Sequence, residues 1–212
     1  MIGGGIVPAD LLALLRESAP TVVAADAGAD RALAAGLTPD WLIGDLDSVS
    51  DAARRALPPH RVVALAGQDD TDFEKCLSRI EAPAILCAGF TGGRADHMLA
   101  VFAALARYTG RRAVVIDDSD IIFHARALTI DLPVGSRLSL FPLRPVGGRS
   151  TGLAWPIDDL VLAPMGTVGT SNRVTGPVQL AFDSDGMLVI LPRAALASLL
   201  AAWHAEAGAR AR

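Results

Sequence analysis

The chain has 212 residues, 51% of them hydrophobic, a net charge of −4, a mean hydropathy of +0.39 and an isoelectric point near 5.5. That length suits one large domain or two small ones, and the hydrophobic content excludes a disordered chain. The acidic balance argues against a general nucleic-acid binder, which needs a basic face. Of the 19 basic residues, only Lys75 is a lysine. The arginine bias reflects codon composition and weakens any argument from clustered arginines.

Residues 1–118 repeat one pattern: a β-rich run, a loop with acid or glycine, then an amphipathic helix. "TVVAA" leads through "DAGAD" into a helix "RALAAG" that stops at Gly36. "WLIG" leads through "DLDS" into "DAARRAL", and "RVVALAG" leads through "QDD" into "TDFEKCLSRI". "AILCAG" leads through "FTGGRAD" into "HMLAVFAALARYTG", with Gly110 as a stop. Strands alternating with helices predict a Rossmann-like α/β domain, its mostly parallel sheet covered on both faces. "MIGGG" leaves almost no first strand, so a start upstream of Met1 is expected.

After "AVVIDD" the texture changes. "DIIFHA", "RALTIDL", "RLSLFPL", "LVLAP", "VQLAFD" and "MLVILP" are short strand runs separated by Gly, Pro, Asp and Ser. No helix is predicted between Ser119 and Pro192, so residues 119–212 read as a small β-sandwich domain. The tail "RAALASLLAAWHAEA" is predicted as a helix with Leu196, Leu199, Leu200 and Trp203 on one face. No basic segment precedes an apolar core at the N-terminus, and the longest apolar runs fall short of the ~20 residues that span a bilayer. Cys76 and Cys87 lie among apolar residues without zinc or disulfide spacing, which predicts buried thiols in a reducing cytoplasm.

In parallel α/β sheets ligands bind beyond the carboxyl ends of the strands. The four loops there carry Asp26, Gly28 and Asp30; Asp45, Asp47 and Ser48; Gln68, Asp69, Asp70, Thr71 and Asp72; and Gly92, Gly93, Arg94, Asp96 and His97. Asp26 and Asp30 also read as turn and cap residues, "GGR" as a tight turn, and His97 as a first-turn helix residue. Thr71 and Glu74 form a capping box, with Phe73, Cys76, Leu77 and Ile80 facing the core. Lys75 is expected on the exposed face of that helix, with reach to a phosphate as the alternative for the only lysine. "GDLDS" is harder to explain by capping alone, because an extended segment points Asp45 and Asp47 to the same side. Carboxylates without His or Cys suit Mg²⁺. There is no P-loop and no kinase signature.

In order and spacing, "ADAGADRAL…GLTPDWLIGDLDS", "QDDTDFEKCL" and "GFTGGRADH" resemble the three signature segments of the thiamine pyrophosphokinase family. "STGLAWPIDDLVL", "GTSNRV" and "GMLVIL" resemble its thiamine-binding β domain. The resemblance implies Mg²⁺-dependent transfer of pyrophosphate from ATP to the hydroxyl of thiamine, giving thiamine diphosphate and AMP. It implies Asp45, Asp47, Asp72, Asp96 and Arg94 as catalytic residues, with Asp45, Asp47 and Asp72 on the metal. Asp26, Gly28, Ser48, Gln68, Asp69, Thr71, Gly92 and Gly93 would serve the nucleotide side. Trp155 would stack on thiamine, with Ser171 and Asn172 as polar partners. Ala27 and Asp30 depart from the family's "DGGAN", and Gly28 keeps the close backbone approach to a phosphate. The partners implied are ATP and thiamine, with no nucleic acid, no membrane, and a homodimer whose sites are shared between chains. Two other readings are a pyrophosphokinase acting on another small alcohol, such as a pterin, and a nucleotide-binding regulator without turnover.

Overall fold

The computed structural model describes residues 1–67 and 69–210. The chain divides into two compact units. The first comprises residues 1–104 with 115–118, the second 105–114 with 119–212.

The first unit opens with a helix, α1 (Ala9–Ser18), then alternates strands and helices. These are β1 (Val23–Ala25), α2 (Gly28–Ala34), β2 (Trp41–Gly44), α3 (Asp51–Arg55), β3 (Val62–Ala64), α4 (Asp72–Arg79), β4 (Ile85–Ala88), α5 (Ala95–Arg107), whose last three residues fall in the second unit, and β5 (Ala113–Ile116), whose first two do. β1, β2 and β3 pair in parallel, with Ala24 opposite Leu42 and Ile43 opposite Val63. The missing first strand is supplied by very little chain. Ile2 bridges in parallel to both Ala24 and Ala88, and so links β1 to β4. Its N–H donates to Val23 O at 2.8 Å, and its carbonyl accepts from Ala25 N–H at 2.8 Å. β5 lies beside β4.

Period-two alternation explains how both faces of this short sheet are covered. Ala24 and Leu42 face one way and pack with Ala29, Ala53 and Leu57 of the α2–α3 side. Val23, Ala25 and Ile43 face the other way and pack with Cys76 on α4. The expected capping box is present: Glu74 N–H donates to Thr71 Oγ1, and Thr71 N–H donates to Glu74 Oε2 at 3.1 Å. Cys76 and Cys87 are free and buried.

The second unit contains β6 (Asp120–His124), β7 (Ala127–Ile130), β8 (Arg137–Pro142), β9 (Val146–Leu153), β10 (Val161–Leu162), β11 (Gly169–Phe182), β12 (Met187–Pro192) and α6 (Leu196–Arg210). It is a β-sandwich in which β11 serves both layers. The first part of β11 pairs antiparallel with β8, and its last residues pair with β7 and β9. Register shifts along β11 mark the bend. The bend passes close to Gly152, where an added Cβ would meet Pro177 O at 2.2 Å. β9, "VGGRSTGL", is a strand that its glycines conceal from a propensity reading, although it spans eight residues. On α6, Leu196, Leu199 and Trp203 are buried, and Trp203 meets Phe123 edge-on at 5.8 Å. Among the described residues no helix is long and apolar enough to cross a membrane.

Candidate active site

The loops after β1, β2, β3 and β4 enclose an open cleft of about 660 Å³ at the carboxyl ends of the strands. It is lined by Asp26, Asp45, Asp47, Ser48, Asp69, Thr71, Asp72, Lys75, Gly92, Gly93, Arg94 and His97, with Gly3, Gly4 and Gly5 among the other lining residues. The N-terminal "GGG" is a contribution that the strand–loop–helix pattern does not anticipate. Its only sequence signal is the run of residues without side chains. Gln68 lies outside the described residues.

Asp26 follows β1 directly and has a φ of +43°, in the left-handed region that Asp tolerates better than most side chains. It is only 2% exposed. Its Oδ2 accepts the Ser48 N–H at 3.1 Å, while Oδ1 is buried with no hydrogen-bond partner. Burial pushes its carboxyl up to about 6. The Ser48 N–H opposes that rise, and Asp72, Asp47 and Asp45 add to it.

The chain beyond β2 turns sharply. Leu46 has a φ of +67°, so the segment is not extended and the same-side argument for Asp45 and Asp47 does not hold. Both acids still line the cleft, by a different route. Asp45 Oδ2 accepts from Lys75 Nζ at 2.5 Å, and the lysine is the chief reason its carboxyl lies below the ordinary value. Asp47 is exposed and accepts from Ser48 Oγ at 2.7 Å.

Asp72 opens α4, is partly buried, and is raised chiefly by burial. Asp26, Asp45 and Asp72 each offer one carboxylate oxygen, all within 4.8 Å of one another. Among the described residues this is the set able to hold a metal. Asp26 stands in it where the sequence points to Asp47, because Leu46 redirects the loop and Asp26 rises directly from the adjacent strand.

Lys75 is buried, at 5% exposure, and not on an open helix face as expected. It lies three residues after Asp72, hence beside it on the helix, and its Nζ is 3.4 Å from Asp72 Oδ1. Burial lowers its pKa, but Asp45 and Asp72 outweigh that and the net shift is upward.

Three other expectations change. Gly28 is not among the residues that line the cleft, and an added Cβ would meet Ile2 O at 2.0 Å, so the absence of a side chain there admits the N-terminal segment. Asp96 is exposed and tied to Arg94 by two hydrogen bonds, Nε to Oδ1 at 3.1 Å and Nη2 to Oδ2 at 2.6 Å. Arg94 holds it down at about 2, outside the carboxylate set. Asp30 has a structural task. Its two oxygens accept from Ser50 Oγ at 2.5 Å and Ser50 N–H at 2.9 Å, while Ser50 Oγ caps α3 at Ala53 N–H.

In the second unit Trp155 is 59% exposed, with the Arg173 guanidinium 5.6 Å from the centre of its ring. Asn172 is buried and spent on backbone. It donates to Trp155 O at 2.6 Å and accepts from Trp155 and Arg173 N–H at 3.2 and 2.8 Å. It therefore holds the Trp155 loop in place. Ser171 is exposed, with a φ of +61°, and its N–H donates to Ser139 Oγ at 2.9 Å.

Residues 12–116 match the family model of the thiamin pyrophosphokinase catalytic domain, and residues 128–187 match that of the thiamin pyrophosphokinase vitamin B1 binding domain. Thiamine pyrophosphokinase 1 of Oryza sativa subsp. japonica is 30% identical over 168 residues. That alignment covers 69% of this chain, and the chain spans only 64% of the length of that relative. The solved thiamin pyrophosphokinase from Candida albicans superposes with a TM-score of 0.73 at 19% identity, covering 90% of this chain and 88% of that one. The thiamin pyrophosphokinase from Geobacillus thermodenitrificans superposes at 0.72 with 24% identity, covering 90% and 94%. At such identities the likeness shows the fold.

Proposed function

The chain belongs to the thiamin pyrophosphokinase family, and from that premise we propose that it transfers the terminal pyrophosphoryl group of ATP to the hydroxyl of thiamine, releasing AMP. The observation that carries this reading is the match of both family models, in order, with the catalytic one spanning most of the acid-lined cleft.

Such a transfer forms a bond from the thiamine oxygen to the β-phosphorus and breaks the bridge to the α-phosphate, whose electron pair leaves with AMP. Positioning and charge neutralisation do most of the work. Arg94, paired with Asp96 at the cleft wall, supplies a planar cation for phosphate oxygens. The backbone around Gly92 and Gly93 lets a polyphosphate approach without side-chain interference. Asp96, held at about 2 by its pair with Arg94, is a poor acceptor for the hydroxyl proton.

Asp26, Asp45 and Asp72 fit a hard divalent cation such as Mg²⁺: all three are oxygen donors, and one Asp26 oxygen is buried with nothing to bind. A cation bound there would neutralise charge on the polyphosphate and on departing AMP.

Thiamine would stack on the exposed Trp155 indole, an electron-rich face for a cationic ring. Since Trp155 and the cleft acids belong to different units, we propose a two-fold homodimer in which each site draws on both chains. The free buried thiols Cys76 and Cys87 support a reducing, cytoplasmic setting.

The deciding experiment incubates the protein with ATP and Mg²⁺, with and without thiamine, and resolves nucleotides by chromatography. AMP and thiamine diphosphate in equal amounts are expected only when thiamine is present. ADP as the product, or AMP independent of thiamine, would refute the reading.

A further inference from the structure

Two of the three carboxylates that converge in the cleft already have a cation. Lys75 Nζ lies 2.5 Å from Asp45 Oδ2 and 3.4 Å from Asp72 Oδ1, with its side chain 5% exposed. Two of the three residues that can converge on a metal are therefore paired with an ammonium. The third, Asp26, keeps a buried oxygen without a partner. A divalent ion accepted by these oxygens and an ammonium in contact with two of the same carboxylates would be like charges at close range in a partly water-excluded site.

We propose that Lys75 is a resident cation that a divalent ion must displace. In the ligand-free protein it neutralises Asp45 and Asp72, relieves the repulsion between them, and weakens metal binding. When the metal enters, the ammonium leaves the carboxylates. It is then a mobile positive charge at the cleft wall, available to the anionic substrate. This inference rests on the proposed Mg²⁺ site and concerns how that site is held and filled.

The tether suits the task. Lys75 is one helical turn from Asp72, so its flexible four-carbon stem can swing without moving α4. The Thr71–Glu74 capping box fixes the start of that helix independently of the ion pair. An arginine there would form a stiffer, bidentate pair and would release less readily. In a chain with eighteen arginines and one lysine, the lysine stands where a releasable point charge is of use.

The test measures Mn²⁺ binding by the loss of the free-ion electron paramagnetic resonance signal, without nucleotide, in wild type and Lys75→Met. About ten-fold or tighter binding by Lys75→Met, with one ion per chain, is the expected result. Equal or weaker binding by the variant overturns the displacement proposal while leaving the metal site standing. No binding by either protein overturns both. Because Lys75→Met leaves acids unpaired and can fail to fold, a second measurement uses the wild type alone. With ¹⁵Nζ-labelled lysine the chain has one side-chain ammonium signal, slow to exchange while buried in its ion pair. Mg²⁺ saturation should shift this signal and speed its proton exchange. A signal that stays protected and unmoved at saturating Mg²⁺ overturns the proposal.

Discussion

The Ser48 N–H donates to Asp26 Oδ2 at 3.1 Å, while the other oxygen of the same carboxylate is buried without a partner. The loop after β2 is thereby pinned to the end of β1, with half of Asp26's bonding capacity unused. Because Asp26 is raised to about 6 from an unfolded 3.8, folding favours its protonated form. Its stabilising contribution is complete below 3.8 and is lost as pH rises through about 6. In EDTA, Asp26→Asn should melt higher than wild type at pH 7.5, and that gap should narrow at pH 5, where the wild-type carboxyl is protonated. Asp72 acts in the same direction, while the His124 imidazole and the Met1 amine, both lowered by burial, act in the opposite one, so the comparison with Asp26→Asn isolates the Asp26 share. An unchanged pH dependence in the variant would count against the assignment.

Ser50 links two elements at once, capping α3 through Ala53 N–H and binding both oxygens of Asp30 on α2. Ser50→Ala should cost about 0.5–2 kcal/mol, in the range of a lost cap. Asp30→Ala should cost less, and the double variant less than the sum, since the two share a network. Urea melts of the four proteins give the coupling; strict additivity would show that the clamp contributes nothing.

Gly28→Ala should destabilise by about 1–3 kcal/mol or more, the range of an overpacked core, because the new methyl collides with the Ile2 carbonyl at 2.0 Å. The damage should appear as early hydrogen exchange at Ile2, Gly3 and Ala25, whose N–H groups pair through that segment. A stable variant with a selective ATP defect would restore the phosphate role to this glycine.

Trp155→Ala should raise the thiamine KM several-fold and leave the ATP KM unchanged. Truncating a side chain 59% exposed should move stability within about 0.5 kcal/mol. Asn172→Ala should differ, because it releases the Trp155 backbone and strands buried groups. A Trp155→Ala protein that loses Tm and thiamine binding together would mark Trp155 as structural.

Co-expressing Asp45→Asn with a Trp155→Ala or Ser171 variant, assayed at thiamine far below the KM of the second variant, tests the shared site. If sites form between chains, each mixed dimer holds one site with both lesions and one with neither. With random pairing about a quarter of sites recover. Mixed dimers seen by mass without recovered AMP release would exclude it.

Much of this protein follows from local pattern. The strand–loop–helix alternation, the Thr71–Glu74 cap and the apolar stripe of α6 need only short-range sterics and hydrophobic period, and all are present as read. The convergence of acid-bearing loops follows as well, because parallel strands put their carboxyl ends on one edge. Which acids meet is decided by tertiary structure. A single left-handed residue, Leu46, breaks the alternation that made Asp45 and Asp47 look paired. Asp26 and Lys75 enter the cluster from positions 19 residues before and 30 after Asp45, separations at which sequence spacing carries no geometric information. Gly28 and β9 make the same point for the backbone. A glycine serves a ligand or a neighbouring strand according to what lies 2 Å from its missing Cβ, and only the folded chain brings that neighbour there.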